Sequence, residues 1–140
     1  MPRLVVPAHL DQLATLREFA ETELAAAGFE AEAHALVLAL DEAATNAIVH
    51  GYADQPGDIE LRIEFEGDEV VATLLDDAPT HNPLNAPEPD LSLPLEQRPI
   101  GGLGVYLVKT LTDHQEHRSR GESGNALTLR KRRMSQTRNP

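Results

Sequence analysis

Apolar positions along the chain follow two periods. Leu4-Val5-Val6 is a short apolar run closed by Pro7, the pattern of an edge strand, because proline cannot donate to a ladder. Over 9–27, Leu10, Leu13, Leu16, Ala20 and Leu24 recur at helical spacing, and Gly28 supplies a stop. A second helix is expected over about 30–50, with Ala33, Leu36, Val37, Leu40, Ala44 and Val49 facing the core. The period then shortens to two. Ile59, Leu61, Ile63 and Phe65 alternate with Glu60, Arg62 and Glu64, as in a half-buried strand. A turn at Glu66-Gly67-Asp68 leads into the more continuously apolar Val70-Val71-Ala72-Thr73-Leu74-Leu75, so the pair reads as an antiparallel hairpin.

Beyond Asp76-Asp77-Ala78-Pro79 the pattern breaks. Pro79, Pro83, Pro87, Pro89, Pro94 and Pro99 place six of the ten prolines between 79 and 99, which excludes helix and central strand there. A loop this long inside a compact domain is usually functional or disordered. Gly101-Gly102-Leu103-Gly104 then opens a helical pattern through Val105, Leu107, Val108 and Leu111. Residues 114–120 form a polar strand candidate, 121–125 a turn, and Ala126-Leu127-Thr128-Leu129 a last strand. The order β-α-α-β-β-loop-α-β-β, without internal repeats, predicts an α+β two-layer sandwich. Its sheet is mixed and mostly antiparallel, with the helices on one face. One domain is expected over 1–132, with a lid at about 79–100 and a basic, frayed tail at 133–140.

Composition narrows the function classes. The 140 residues suit one domain with a real core. No apolar run approaches the roughly 20 residues of a membrane span, and the apolar start is too short for a secretory signal. With no cysteine, disulfides and thiolate metal sites are excluded, and a cytoplasmic setting is the simplest expectation. The net charge is −11, and all 23 acidic residues precede residue 130. Such a body repels nucleic-acid phosphates, and the scarce aromatics offer no base-stacking platform. No direct nucleic-acid binding is expected; a protein partner with a basic patch suits this charge.

Three features carry candidate chemistry. Within 41–52, Glu42, Asn46 and His50 are four residues apart and share one helix face. Small residues (Ala43, Ala44, Ala47) flank them, and Gly51 offers a left-handed stop. Alone, such a stripe is usually a solvated face. Gly101, Gly102 and Gly104 give a helix start whose backbone N–H groups can meet an anion. They are neither a dinucleotide fingerprint nor a P-loop, since no parallel βαβ unit and no Gly-Lys-Ser/Thr accompany them. Asp76 ends a buried strand, where a carboxylate can accept from the exocyclic amine of a purine and so discriminate adenine from guanine. His114 and His117 fall on opposite faces of their strand, which argues against a metal site.

Glu-x-x-x-Asn on a helix, a strand-end Asp, a long lid and a Gly-x-Gly helix start, in this order, resemble the GHKL ATPase/kinase superfamily and its Bergerat ATP-binding fold. Within it, 41–52, the lid from Asn82-Pro83-Leu84 onward, and Arg98-Pro99-Ile100-Gly101-Gly102-Leu103-Gly104-Val105 are similar to the bacterial anti-sigma-factor serine kinases. The resemblance implies ATP and Mg2+ as cofactors. It implies an anti-anti-sigma (STAS-type) protein and a sigma factor as partners, no membrane, and room for a homodimer. By the same resemblance Asn46 matches the magnesium ligand, and Glu42 the residue that activates the attacking hydroxyl or water. Asp76 matches the adenine-recognition carboxylate, Gly102, Leu103 and Gly104 the phosphate-cradling loop, and Thr128 the hydroxyl on the adenine side. Arg98 can reach a terminal phosphate from the lid; His50 is a helix-end residue near the site.

One departure bears on affinity. The family pattern Asp-x-Gly is replaced by Asp76-Asp77-Ala78, and His81 stands in for an aromatic a few residues on. If the position needs φ > 0, alanine costs roughly 1–2 kcal/mol and about tenfold in nucleotide affinity. The expected function is therefore an ATP-dependent protein serine kinase and anti-sigma-type regulator. The alternative is a nucleotide-sensing binding module of the same fold that sequesters a partner.

Overall fold

The computed structural model describes residues 2–80, 84, 102–121 and 123–134, and of residues 102–105 the backbone alone. Strand β1 spans Arg3–Pro7, helix α1 Leu13–Ala26 and helix α2 Glu30–Asn46. The hairpin strands β2 and β3 span Asp58–Glu66 and Glu69–Asp76. Helix α3 spans Gly102–Leu111, and β4 and β5 span His114–Ser119 and Asn125–Arg132. A 3-10 turn, Leu10–Gln12, precedes α1. Among the described residues the strands form one sheet in the order β1-β2-β3-β5-β4, and each neighbouring pair is antiparallel.

The period-two pattern fixes which face packs. Ile59, Leu61 and Ile63 of β2 stand opposite Asp76, Leu74 and Ala72 of β3, and these stand opposite Asn125, Leu127 and Leu129 of β5. All nine are buried on the helix side. Leu16, Ala20 and Leu24 of α1 and Leu36, Leu40 and Ala44 of α2 complete that core, so α2 lies between its neighbours α1 and α3 over the sheet. Alternate residues face outward, where Arg3 and Arg62 both reach Glu60.

Several element ends differ from the sequence reading. Helix α2 does not run regularly to residue 50: wider π-type turns take over at Ala47–Tyr52. Gly51 is not the left-handed stop; Ala53 (φ 48°) and Asp54 (φ 72°) hold those conformations instead. The reason is packing: Tyr52 is buried, and its hydroxyl donates to the Asp58 carbonyl at 2.6 Å and accepts from the Asp77 N–H at 2.7 Å. The wide turns carry the ring inward before the chain reverses. Strand β5 runs three residues beyond the apolar run, to Arg132, because Arg130 pairs with Glu66 and Glu69 on the sheet's outer side. Arg133 and Met134, assigned to the tail by sequence, lie against the body. The Arg133 guanidinium is 4.0 Å from the Phe29 ring centre, and the Met134 N–H donates to Glu32 at 2.7 Å. Most of the lid, with His81, Arg98 and Gly101, lies outside the described residues.

Candidate functional site

The carboxyl end of β3, the start of β5 and the last α-helical turn of α2 converge on one cleft. Its walls include Asn46, Asp76, His117 and Asn125 among the apolar Ala43, Ala47, Leu74 and Leu127. Asp76 and Asn125 are direct cross-strand partners, and both are buried. The Asn125 amide donates to Asp76 Oδ1 at 2.8 Å, and the Ala78 N–H donates to the same oxygen at 3.0 Å. That leaves Asp76 Oδ2 as the acceptor available to a donor in the cleft.

Asn46 and Glu42 are half-buried on α2, and their side chains make no hydrogen bond or ion pair among the described residues. Their neighbours differ. Asp41 is tied to Arg17 at 2.8 Å, and the Thr45 hydroxyl donates to the Asp41 carbonyl. Asn46 reaches the cleft; Glu42 lies one turn before it on the same helix. Gly102, Leu103 and Gly104 form the opening turn of α3, which packs on α2. His50 is exposed on the π turns.

Two expectations need correction. Thr128 is on the wrong face of β5. Leu127 and Leu129 must enter the core, so strand alternation sends Thr128 to the outer surface, where its hydroxyl lies 3.4 Å from that of its partner Thr73. The residue facing Asp76 is Asn125, the first residue of β5 and not part of the turn expected at 121–125. The same alternation, counted back from Leu127, would have found it. The second correction concerns Ala78: it is not among the residues with positive φ, so the expected backbone penalty does not arise. Its methyl is buried in the core cluster, and its carbonyl accepts from Gly124 at 2.8 Å. The glycine this corner requires is Gly124. It has φ +98°, and an added Cβ would stand 2.9 Å from the Asp76 carbonyl oxygen.

Burial pushes the Tyr52 phenol above its ordinary value, and the Asp76, Asp77 and Asp58 carboxylates push it the same way against the Asp77 N–H. A wider groove of about 730 Å³ lies between the turn at His9 and the loop at Gln55, with Asp11, Asp54 and Asp58 on its walls. Three carboxylates there would repel a polyphosphate, so its size does not make it the nucleotide site.

Helices on one face of an antiparallel sheet, with a buried acceptor at a strand end beside a helix carrying Glu42 and Asn46, define a GHKL-type nucleotide-binding domain. The chain belongs to the histidine kinase-like ATPase domain family, which it matches over residues 6–131. It is similar to the serine-protein kinase RsbW of Bacillus subtilis (strain 168), 31% identical over 102 residues, which cover 69% of this chain and 62% of that one. It is likewise 31% identical over 80 residues to the serine-protein kinase RsbW of Bacillus thuringiensis subsp. konkukian (strain 97-27), covering 54% of this chain and 50% of that protein. The chain thus spans about half the length of the curated relatives it matches. Among the described residues, no helix is long and apolar enough to cross a membrane.

Proposed function

We propose that this chain is an ATP- and Mg2+-dependent protein serine kinase that also acts as an anti-sigma-type regulator in a cytoplasmic partner-switching pathway. The observation that carries the reading is the cleft at Asp76. The available Oδ2 suits the exocyclic amine of adenine, and Leu74, Leu127, Ala43 and Ala47 suit the faces of the base. The Asn46 amide, unpartnered among the described residues, fits a hard cation that keeps most of its waters and takes few protein oxygens. Gly102, Leu103 and Gly104 open α3, and a helix start of this kind favours phosphate.

When bound, ATP supplies the phosphoryl group. The chain's own residues would do the rest. Asp76 orients the base, the α3 amides hold phosphate oxygens, and Glu42 takes the proton from the attacking serine hydroxyl. A base within one helical turn of Asn46 suits a reaction that depends on positioning. The partner that the family resemblance implies is a STAS-type anti-anti-sigma protein carrying the acceptor serine, with a sigma factor held in exchange. Homodimers are compatible with this role.

The test is transfer of labelled phosphate from ATP to a STAS-domain protein of the same genome. Phosphoserine should form with the wild type and be lost in Glu42→Gln, while calorimetric ATP binding survives in that variant. ATP binding without transfer to any such protein would favour the binding-module reading and sink the kinase.

A further inference from the structure

His117 has no part in the chemistry proposed so far, yet it lies on the cleft wall. We propose that His117 is a positioning residue for base recognition, acting through Asn125 to set the direction of the Asp76 carboxylate. The inference rests on the adenine reading of Asp76 given above.

Strand parity brings the three together. Asn125 pairs with Asp76 on one side and with Ser119 on the other, and His117 is two residues before Ser119 on the same face of β4. His117 Nε2 lies 2.7 Å from Asn125 Oδ1, and Asn125 Nδ2 lies 2.8 Å from Asp76 Oδ1. Chemistry fixes the direction of this chain. An ionised carboxylate only accepts, so the amide must turn its NH2 to Asp76 and its carbonyl oxygen to His117. That oxygen also only accepts, so His117 Nε2 must be the donor in this contact. The histidine at the amide oxygen, together with the Ala78 and Pro79 carbonyls 3.4 Å from Asn125 Nδ2, holds the amide in the orientation that donates to Asp76.

The consequence falls on Asp76. With Asn125 and the Ala78 N–H both on Oδ1, the carboxylate plane is held and Oδ2 is presented to the cleft. A ligand with an exocyclic amine at that point gains from the alignment. A ligand with a carbonyl there gains nothing from it and is repelled by the carboxylate. His117 thus contributes to affinity only for the amine-bearing base.

Calorimetry with ATP and with inosine triphosphate, both with Mg2+, tests this on the wild type, His117→Ala and His117→Gln. ATP should bind wild type more tightly than inosine triphosphate. His117→Ala should weaken ATP by up to about tenfold, the scale of one ordinary hydrogen bond, and leave inosine triphosphate unchanged. His117→Gln, which keeps an N–H donor, should recover most of the loss. If thermal melting shows His117→Ala unfolded, His117→Leu replaces it, since it lacks the donor and keeps the bulk. Equal weakening of both nucleotides, or none of either, overturns the positioning role while leaving the nucleotide site standing. A wild type that binds no ATP, or does not prefer it, overturns the reading of Asp76 and this inference with it.

Discussion

Tyr52 closes the corner between α2 and β2 with a single hydroxyl that both donates and accepts. Tyr52→Phe strips both bonds and should lower stability by about 1–3 kcal/mol, measured by urea unfolding at neutral pH. The pH dependence has a definite sign. A phenol whose folded pKa is raised binds its proton more tightly in the native state. Its contribution is therefore complete below the ordinary value of about 10 and is lost as pH rises above it. Wild-type stability should fall in that alkaline range, and the fall should be shallower in Tyr52→Phe. Ala78 makes a second case. Its φ is not positive, so Ala78→Gly relieves no backbone strain, and the ATP dissociation constant should change by well under the tenfold that strain would have produced. A larger gain would show that the buried methyl itself crowds the base.

At the scale of elements, the turn from α2 into β2 depends on one close approach. A Cβ at Gly57 would stand 2.7 Å from Cζ of Tyr52 and closer still to Cε1, so Gly57→Ala must displace either the ring or the strand. Overpacking of this kind costs typically about 1–3 kcal/mol. The thermal midpoint should drop accordingly, and the loss should be smaller when Gly57→Ala is made in a Tyr52→Ala background, where the ring is gone. The π turns at Ala47–Tyr52 belong to the same junction. Wide turns are frequent at functional sites, and here they follow directly on Asn46, so the helix end and the cleft are built as one unit.

Across the whole molecule, the end of β5 and the α1–α2 connection are tied together by residues remote in sequence. The Arg133 guanidinium stacks on Phe29 and donates to the Gly28 carbonyl, while the Met134 N–H caps the buried carboxylate of Glu32. Glu32 Oε1 has no partner among the described residues, so the Met134 bond matters more than a surface contact would. Ending the chain after Arg132 should therefore cost about 1–3 kcal/mol, read as a lower urea midpoint. Hydrogen exchange should rise first at the α1–α2 connection. On the open side of the sheet, Glu60 is held below the usual carboxylate range chiefly by the hydrogen bond from Arg62, with the Arg62, Arg3 and Arg120 charges acting the same way. Among the described residues, these interleaved charges line the outer face of the sheet around the buried Val71 and Leu75.

Much of this protein is legible in its sequence because binary patterns are local. The period-two run of Ile59, Leu61 and Ile63 and the helical stripe of Leu36, Leu40 and Ala44 each declare their element and buried face. The spacing of Glu42 and Asn46 on α2 needed nothing further, since both lie on one helix. Questions joining two elements were settled only by the tertiary structure. Which β5 residue faces Asp76 depends on where that strand starts: a start at Ala126 leaves Asn125 in the turn, whereas the ladder begins at Asn125 and pairs it with Asp76. The helix end at Tyr52 was set by the Asp58 and Asp77 backbone groups that meet its hydroxyl, not by Gly51. His117 acquires meaning only once β4 has docked beside β5. Local periodicity determines the elements and their inner faces; cross-strand register, which sums contacts far apart in the chain, decides which polar groups meet.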